Sequence, residues 1–173
     1  MSTAATPGQL DGLRVLDLTI WRPGPYTTQL LAEHGADVLK VEPPGGDPMR
    51  SMPDLFDILG AGKRSIVLDL KRDDDRERCL ELAAEADVFV ESYRPGVADR
   101  LGVGYEAIAA RNPTIVYCSV SGFGATGPLA HLPGHDLNYL AYSATLQPGG
   151  GKPRIPTIPI SDLAGGVAAA FAI

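Results

Sequence analysis

A histidine and an aspartate in separate segments of the chain are the residues best suited to acid–base chemistry. His135 lies between Gly134 and Asp136 in a Gly- and Pro-rich region, and Asp162 stands further on, at the start of an Ala/Gly-rich helical pattern. Histidine titrates near neutral pH and is the commonest acid–base residue of enzymes. Such a pair can remove a proton from one side of a carbon atom and return it from the other. The pattern therefore predicts a proton-transfer site.

Each of these residues also has a purely structural interpretation. An isolated histidine is most often a surface residue. Asp136 could orient the His135 ring or cap the helix that follows it, and we expect the cap, because aspartate before a helical pattern is a common N-cap. Asp162, with Ser161, predicts an N-cap for the last helix, where the helix dipole orients a carboxylate and keeps it ionised; this role is compatible with catalysis. Gly165 and Gly166 would let a ligand or another backbone segment come close.

Two arginines and a tryptophan lie in predicted loops. Arg94 and Arg100 follow a predicted strand across Pro95 and Gly96. Strand-to-helix loops commonly bind phosphates, and a solvated surface is the alternative interpretation. Trp21 follows the first predicted strand, where the dinucleotide fingerprint GxGxxG is absent. Its indole would either line a ligand or plug the core, and the sequence leaves both open.

The composition is that of a soluble globular protein with one domain. The chain has 173 residues, of which 45% are hydrophobic and 21% charged. Residues 1–10 predict a short disordered lead, and no membrane span is expected. The net charge of -6 argues against nucleic-acid binding. Cys79 and Cys118 have no metal-ligand or redox spacing, so we expect buried thiols, no metal site and a cytoplasmic location.

Alternating strand and helix patterns predict a Rossmann-like α/β domain over residues 11–173. We expect strands at 14–18, 37–41, 65–70, 87–90 and 114–120. We expect helices at 25–34, 73–86, 105–111, 136–146 and 162–173. Helical connections imply right-handed crossovers and a mostly parallel sheet. Functional groups should then lie on loops at the carboxyl ends of the strands.

Short motifs recur along the chain in an order that resembles a known family. They are Gly24-Pro25, Gly35–Glu42, Lys63–Ser65, Leu68–Lys71, Tyr93–Val97, Ser121–Pro128, Gly134–Tyr139 and Ile160–Gly166. The likeness is to the class III CoA-transferase family, and most closely to its α-methylacyl-CoA racemase branch. It extends over nearly the whole chain.

The resemblance implies catalytic roles for His135 and Asp162. In racemases the matching aspartate is an acid or base, whereas in transferases it is the nucleophile that accepts the acyl group. Transferases of the family usually carry another residue at the position of His135. The histidine therefore favours racemisation of 2-methylacyl-CoA thioesters, with CoA transfer between carboxylic acids as the alternative.

The resemblance also implies contacts with the acyl-CoA, which carries the only cofactor expected. Arg100 matches a phosphate contact, Ser92-Tyr93-Arg94 a neighbouring one, and Leu68-Asp69-Leu70-Lys71 the segment that receives the adenine end. The further implied contacts are Gly122, Phe123, Gly124, Gly134, Asp136, Asn138 and Tyr139. The family often has an arginine where Pro43 follows Glu42 here, and Lys40 or Arg50 would have to replace it.

Family members are roughly twice as long as this chain. The resemblance therefore implies a second, smaller domain absent from this chain, and a homodimer of interlocked chains. Residues 162–173 predict an almost wholly apolar helix that needs burial. We expect self-association or a second chain that supplies the missing half, and little turnover by this chain alone. The non-enzymatic alternative is a CoA-binding half-chain or subunit.

Overall fold

The computed structural model describes residues 8–146 and 151–173, which form a five-stranded sheet with helices on both faces. The strands are β1 Arg14–Leu18, β2 Asp37–Glu42, β3 Arg64–Val67, β4 Val88–Glu91 and β5 Val116–Ser119. Their spatial order is β3-β2-β1-β4-β5, and all four pairings are parallel. The predicted fold class, a Rossmann-like mostly parallel sheet flanked by helices, is confirmed.

Seven helices and one 3-10 turn connect or follow these strands within the described residues. The helices are α1 Pro23–Glu33, α2 Pro53–Gly60, α3 Asp73–Ala84, α4 Val97–Arg100, α5 Tyr105–Arg111, α6 Asp136–Tyr142 and α7 Ile160–Ala172. The 3-10 turn is Pro48–Ser51. None of the described helices has the length and apolarity needed to cross a membrane.

The central strands are buried on both faces, which explains why most of their residues are apolar on both sides of the sheet. One core cluster packs Leu16, Leu18 and Phe89 with side chains of α3 and α5. The other packs Val15 and Val90 with side chains of neighbouring elements, α1 among them. The sheet is therefore a rigid base whose carboxyl edge can hold a site.

Both cysteines are free, and their burial differs. Cys79 is fully buried in α3, and burial raises the pKa of its thiol to about 12. Cys118 in β5 is only partly buried, and burial raises its pKa as well. Within residues 8–146 and 151–173, no cluster of three or more His, Cys, Asp or Glu side chains is arranged to hold a metal ion.

Several element boundaries differ from those predicted. β3 ends at Val67, because Leu68 and Leu70 turn inward into the core cluster with Cys79. The helix α2 and the one-turn α4 were not predicted. Residues 1–7 of the expected lead lie outside the described residues, whereas its last residues pack on the end of α1, where the Leu10 N–H donates to the His34 carbonyl at 2.9 Å.

Lys40 is engaged inside the fold, whereas Arg50 is half-exposed and paired with Glu42. That either one replaces the arginine missing after Glu42 stays a prediction. Lys40 pairs with Asp47 at 2.8 Å, and both side chains are buried. Arg50 donates two hydrogen bonds of 2.7 Å to the Glu42 carboxylate. The Arg50 hydrogen bond lowers the pKa of Glu42 to about 2.

Candidate functional site

A cavity of about 390 Å³ lies at the carboxyl ends of β1, β4 and β5. Its volume is within the range of small-molecule sites, and the carboxyl edge of a parallel sheet is the usual place for one. Four segments contribute its walls: Ile20, Trp21 and Pro23 after β1; Ser92, Tyr93, Arg94, Pro95 and Val97 after β4; Val120, Ser121, Gly122, Ala130, Pro133, Gly134, His135 and Tyr139 after β5; and Asp162 of α7.

The loop after β1 is fixed from below by a buried polar network. Asp17 accepts hydrogen bonds from the backbone N–H and the hydroxyl of Thr19, and pairs with Lys63 at 3.2 Å. Lys40 donates to the Thr19 carbonyl at 2.6 Å. Burial would raise the pKa of Asp17, but Lys63, Lys40 and the hydrogen bonds from Thr19 and Thr28 together hold that pKa below its usual value. These contacts fix the backbone that leads into the cavity wall.

Trp21 lines the cavity and does not plug the core. Its side chain is 49% exposed, and its φ of 63° lies in the left-handed region that bulky residues rarely adopt. Strained backbone of this kind persists when the surrounding structure holds it, and is common at ligand sites. Of the two interpretations that the sequence left open, the structure retains the ligand-lining one.

Ser92 joins the loop after β4 to the loop after β1. Its hydroxyl accepts from the Ile20 N–H at 2.9 Å and donates to the Ile20 carbonyl at 3.0 Å. Below it, the buried Glu91 accepts from the Tyr93 N–H at 2.7 Å. Burial raises the pKa of Glu91, against the opposing effect of the Ser119 hydroxyl and that N–H. The two loops therefore form one wall.

His135 is an exposed residue on the cavity, and it occupies the N-cap position of α6. Its backbone N–H donates to Asn138 Oδ1 at 2.9 Å. The expected N-cap role of Asp136 is wrong, because Asp136 is the first residue inside α6. Its carboxylate instead accepts hydrogen bonds from the backbone of α7.

Asp162 lies in the first turn of α7 and is half-buried on the same cavity. The expected N-cap role is wrong here too, since α7 begins at Ile160 and Pro159 occupies the cap position. Burial raises the pKa of Asp162, and the negative charge of Asp136 raises it further. Arg22 and His135 act in the opposite direction, but the net pKa is raised.

Arg22 is a site residue that sequence reasoning missed. It precedes α1 and is close enough for its charge to lower the pKa of Asp162. Its position just after β1, at the same sheet edge as the other loops, was the one signal available.

An aromatic group supports the wall formed after β5. A Cβ on Gly122 would overlap the Tyr139 ring, and one on Gly134 would lie 2.7 Å from Tyr139 Cε1. Phe123 meets Tyr139 edge-on, with ring centroids 5.0 Å apart. Only glycine at these two positions allows the Tyr139 ring to lie against the backbone. The close approach of the ring to Gly122 and Gly134 shapes this wall of the cavity.

Several predicted contact residues lie outside this cavity. Arg100 is the last residue of α4 rather than a loop residue, and is exposed. Leu68 and Leu70 belong to the core, whereas Asp69 and Lys71 lie beyond β3, at the strand farthest from the cavity. The remaining predicted residues that do not line it are Phe123, Gly124, Asp136 and Asn138.

α7 is held against α1 at Gly166. A Cβ there would lie 2.8 Å from Tyr26 Cδ1 and 2.9 Å from the Pro23 carbonyl oxygen, and Thr27 Oγ1 donates to the Gly166 carbonyl at 3.1 Å. At Gly165, no atom of residues 8–146 and 151–173 outside the nearby helix backbone lies within 4 Å of the same position. Of the two glycines, Gly166 is the one that lets another backbone segment come close.

Comparison with known proteins identifies relatives over nearly the whole chain. The model of CoA-transferase family III matches residues 10–173. Acetyl-CoA:oxalate CoA-transferase of Acetobacter aceti is 46% identical over 179 aligned positions, which cover 96% of this chain and 46% of that protein. Human alpha-methylacyl-CoA racemase is 38% identical over 162 positions, covering 91% of this chain and 40% of that protein.

A solved structure has the same fold. A CAIB/BAIF family protein from Brucella suis superposes with a TM-score of 0.92 at 35% identity, over 96% of this chain and 48% of that one. The chain thus spans about half the length of the curated relatives and solved structures it matches.

Proposed function

Because the chain belongs to CoA-transferase family III, we propose that it binds an acyl-CoA thioester and exchanges the proton α to the thioester carbonyl, so that a 2-methylacyl-CoA is racemised. The observation that carries this proposal is the placement of His135 and Asp162 on one cavity. A thioester acidifies its α-hydrogen, and a histidine together with a carboxylate of raised pKa is suited to exchange it.

In this reaction one member of the pair removes the α-proton and the other delivers a proton to the opposite face. The intermediate enolate carries negative charge on the thioester oxygen. In the first turn of α6, which begins beside His135, the Asn138 N–H already donates to the His135 carbonyl. The N–H groups of Asp136 and Leu137 are the ones suited to stabilise that charge, because the first N–H groups of a helix have no partner within it. The substrate itself carries the coenzyme A, and the scheme requires no other cofactor.

Arginines at the cavity supply the local positive charge that a CoA phosphate needs in a chain of net charge -6. Arg94 lines the cavity. Arg100 does not line it, but its Nη1 is 3.6 Å from the Cβ position of Gly96, whose chain neighbours Pro95 and Val97 are lining residues. We propose that the CoA phosphates contact both arginines, and that Leu68–Lys71 receives the adenine end further along the sheet edge.

Binding can be measured through Trp21, the one tryptophan of the chain, because its indole lines the cavity. Titration with a 2-methylacyl-CoA should change its fluorescence, and Arg94→Ala or Arg100→Ala should weaken binding by roughly 1–3 kcal/mol. Arg78→Ala, on α3, is the matched control and should leave the affinity unchanged. Equal affinities for all these proteins would remove both arginines from the site.

CoA transfer between carboxylic acids is the second candidate, and the 46% identity to an acetyl-CoA:oxalate CoA-transferase favours it. In that reaction an Asp162 oxygen attacks the thioester carbonyl, the C–S bond breaks, and CoA leaves as the thiolate while a mixed anhydride of Asp162 and the acyl group forms. The second carboxylate then attacks the Asp162 carbonyl carbon of this anhydride and expels the first carboxylate. The CoA thiolate finally attacks the new acyl carbonyl, forms the new thioester and frees the Asp162 carboxylate. His135 has no required role in these steps.

Solvent deuterium separates the two reactions. Racemisation incorporates deuterium at the α-carbon of a 2-methylacyl-CoA, and His135→Ala should slow this exchange more for one enantiomer than for the other. Transfer moves the acyl group to an added carboxylic acid, and His135→Ala should leave that rate intact. Transfer without α-exchange would overturn the racemase proposal.

We also propose that turnover needs a second polypeptide, either another copy of this chain or a chain that completes the length of its relatives. The chain spans 46% of the transferase relative, and α7 has apolar residues on its surface. A cytoplasmic location is proposed with it, since both cysteines are free thiols. Deuterium exchange and acyl transfer should therefore be measured on this chain alone and after addition of such a partner.

A further inference from the structure

The helix α7 lacks a cap of its own at the end that carries Asp162. Pro159 occupies the N-cap position and has no side-chain acceptor, so the first N–H groups of the helix need a partner from elsewhere. Asp136 supplies it. One oxygen, Oδ1, accepts from the Ser161 N–H at 2.6 Å and from the Asp162 N–H at 3.1 Å. The acceptor and the donors are thus far apart in sequence and belong to different helices.

These two hydrogen bonds are the polar connection between α6 and α7. In residues 8–146 and 151–173, no other hydrogen bond joins α6 to α7. Asp136 directly follows His135 along the chain, and Asp162 is itself one of the two donors. A single carboxylate therefore links the backbone positions of the two candidate catalytic residues.

We propose that Asp136 is a positioning residue of the candidate site: its carboxylate fixes the first turn of α7, and with it Asp162, relative to the segment that carries His135. The inference deepens the proposed function and rests on it for the role of Asp162. A charge-assisted hydrogen bond to a backbone N–H is stronger than a neutral one, so the link is well suited to this task. Because two groups that act on one carbon must be held in register, misplacement on the order of 1 Å can cost about 100-fold in rate.

The charge of Asp136 has a second consequence for Asp162. The groups that face the Asp162 carboxylate are Arg22 from the loop after β1, and His135, Asp136 and Tyr139 from α6 and its cap. Burial comes first and Asp136 second among the causes that raise the pKa of Asp162. The same contact that places Asp162 therefore also favours its protonated form.

Two substitutions separate placement from charge. In Asp136→Asn the amide oxygen can still accept both N–H groups, but the negative charge is lost. In Asp136→Ala both are lost. Asn138→Ala is the matched control, because it removes a hydrogen bond from the same first turn of α6, to the His135 N–H, without touching α7.

Amide hydrogen exchange, followed by NMR without substrate, tests the placement. Asp136→Ala should reduce the protection of the Ser161 and Asp162 amides about tenfold or more, the factor that about 1.4 kcal/mol of lost hydrogen bonding gives. Asp136→Asn should retain most of this protection, and Asn138→Ala should leave both amides as they are in the unaltered protein. Unchanged protection of both amides in Asp136→Ala would overturn the inference.

Titration of the Asp162 carboxyl carbon by NMR tests the charge. In Asp136→Asn the midpoint should move to lower pH, since the neighbouring negative charge is gone; an unmoved or raised midpoint contradicts this part. Neither readout involves acyl-CoA. If the amide exchange and the titration give the expected results but no α-proton exchange is found, the proposed function alone is overturned. If α-proton exchange is found but the amide exchange and the titration do not respond to the Asp136 substitutions, the role of Asp136 alone is overturned.

Discussion

The protonation state of Asp162 depends on charges of both signs that lie around it. Arg22 lowers its pKa, although burial and Asp136 together keep the net value raised. Loss of the arginine charge should therefore make the carboxyl harder to ionise. This balance gives the candidate base a pH dependence that can be shifted in a chosen direction by a single substitution.

Arg22→Gln should raise the pKa of Asp162 further, because a positive charge that favours the carboxylate is removed. The ionised form would then appear at higher pH than in the unaltered protein, and any rate that requires Asp162 as a base should rise later in a pH profile. Carboxyl NMR titration measures the shift directly. Arg154→Gln, an exposed arginine that is not among the causes of the shift, is the matched control and should leave the midpoint in place.

An unmoved Asp162 midpoint in Arg22→Gln would show that Arg22 does not act on this carboxylate, and a fall would contradict the predicted sign.

His135 and Asp162 were accessible from the sequence, because residue type and motif point to them. Arg22 was not, since its approach to Asp162 results from the packing of α7 on α1. Asp136 was recognised as a capping residue, but for the wrong helix. A capping pattern in sequence is local, whereas Asp136 lies in α6 and caps α7.

At the scale of elements, the strongly apolar central strands were predicted well and the short or irregular elements were not. β1 has the predicted bounds, since an apolar run that is buried on both faces has a clear sequence signal. α4 has only four residues and α2 follows the 3-10 turn, so neither offers a long periodic pattern. From the sequence, the site could be predicted only to lie at the carboxyl edge of the sheet. The cavity itself could not be predicted, because its walls come from four separate segments.

Adjacent glycines in α7 offer a test of how this helix is held. Gly166→Ala should destabilise the protein by about 1–3 kcal/mol, because the new methyl group would lie 2.9 Å from the Pro23 carbonyl oxygen and would push α7 away from α1. The methyl group of Gly165→Ala meets no neighbouring atom within 4 Å in the part of the chain that the structure describes, so this substitution should stabilise the protein by about 0.5–1 kcal/mol through helix propensity. Denaturant unfolding measures both changes.

The pair serves as its own control, because the two positions share a helix, a residue type and a substitution. Displacement of α7 should also move Asp162, so Gly166→Ala should weaken the fluorescence response of Trp21 to an acyl-CoA, whereas Gly165→Ala should not. Equal stabilities of the two variants would show that the α1–α7 contact is loose.

At the scale of the whole molecule, α7 has an apolar face on the surface. Phe171 is 93% exposed and Val167 49% exposed. Ile160, Ala164 and Ala168 are exposed on the same helix. Contiguous apolar surface of this kind usually marks an interaction site, and removal of apolar surface from water is worth roughly 25 cal/mol per Å². The sequence predicted an almost wholly apolar helix that needs burial, and in this structure Phe171 of that helix is exposed.

We expect the chain to self-associate through this face, or to bind the second polypeptide proposed above. Light scattering should give a mass above that of a monomer, and the double variant Val167→Lys with Phe171→Lys should return it to the monomer, because two buried lysine charges would make association costly. Ile58→Lys is the matched control: Ile58 is an apolar residue of α2, 59% exposed, and the substitution adds a charge away from α7. A chain that is already a monomer without substitution, with full turnover, would contradict both the association and the need for a partner. Association that survives in the double variant but is lost in Ile58→Lys would instead place the interface on α2.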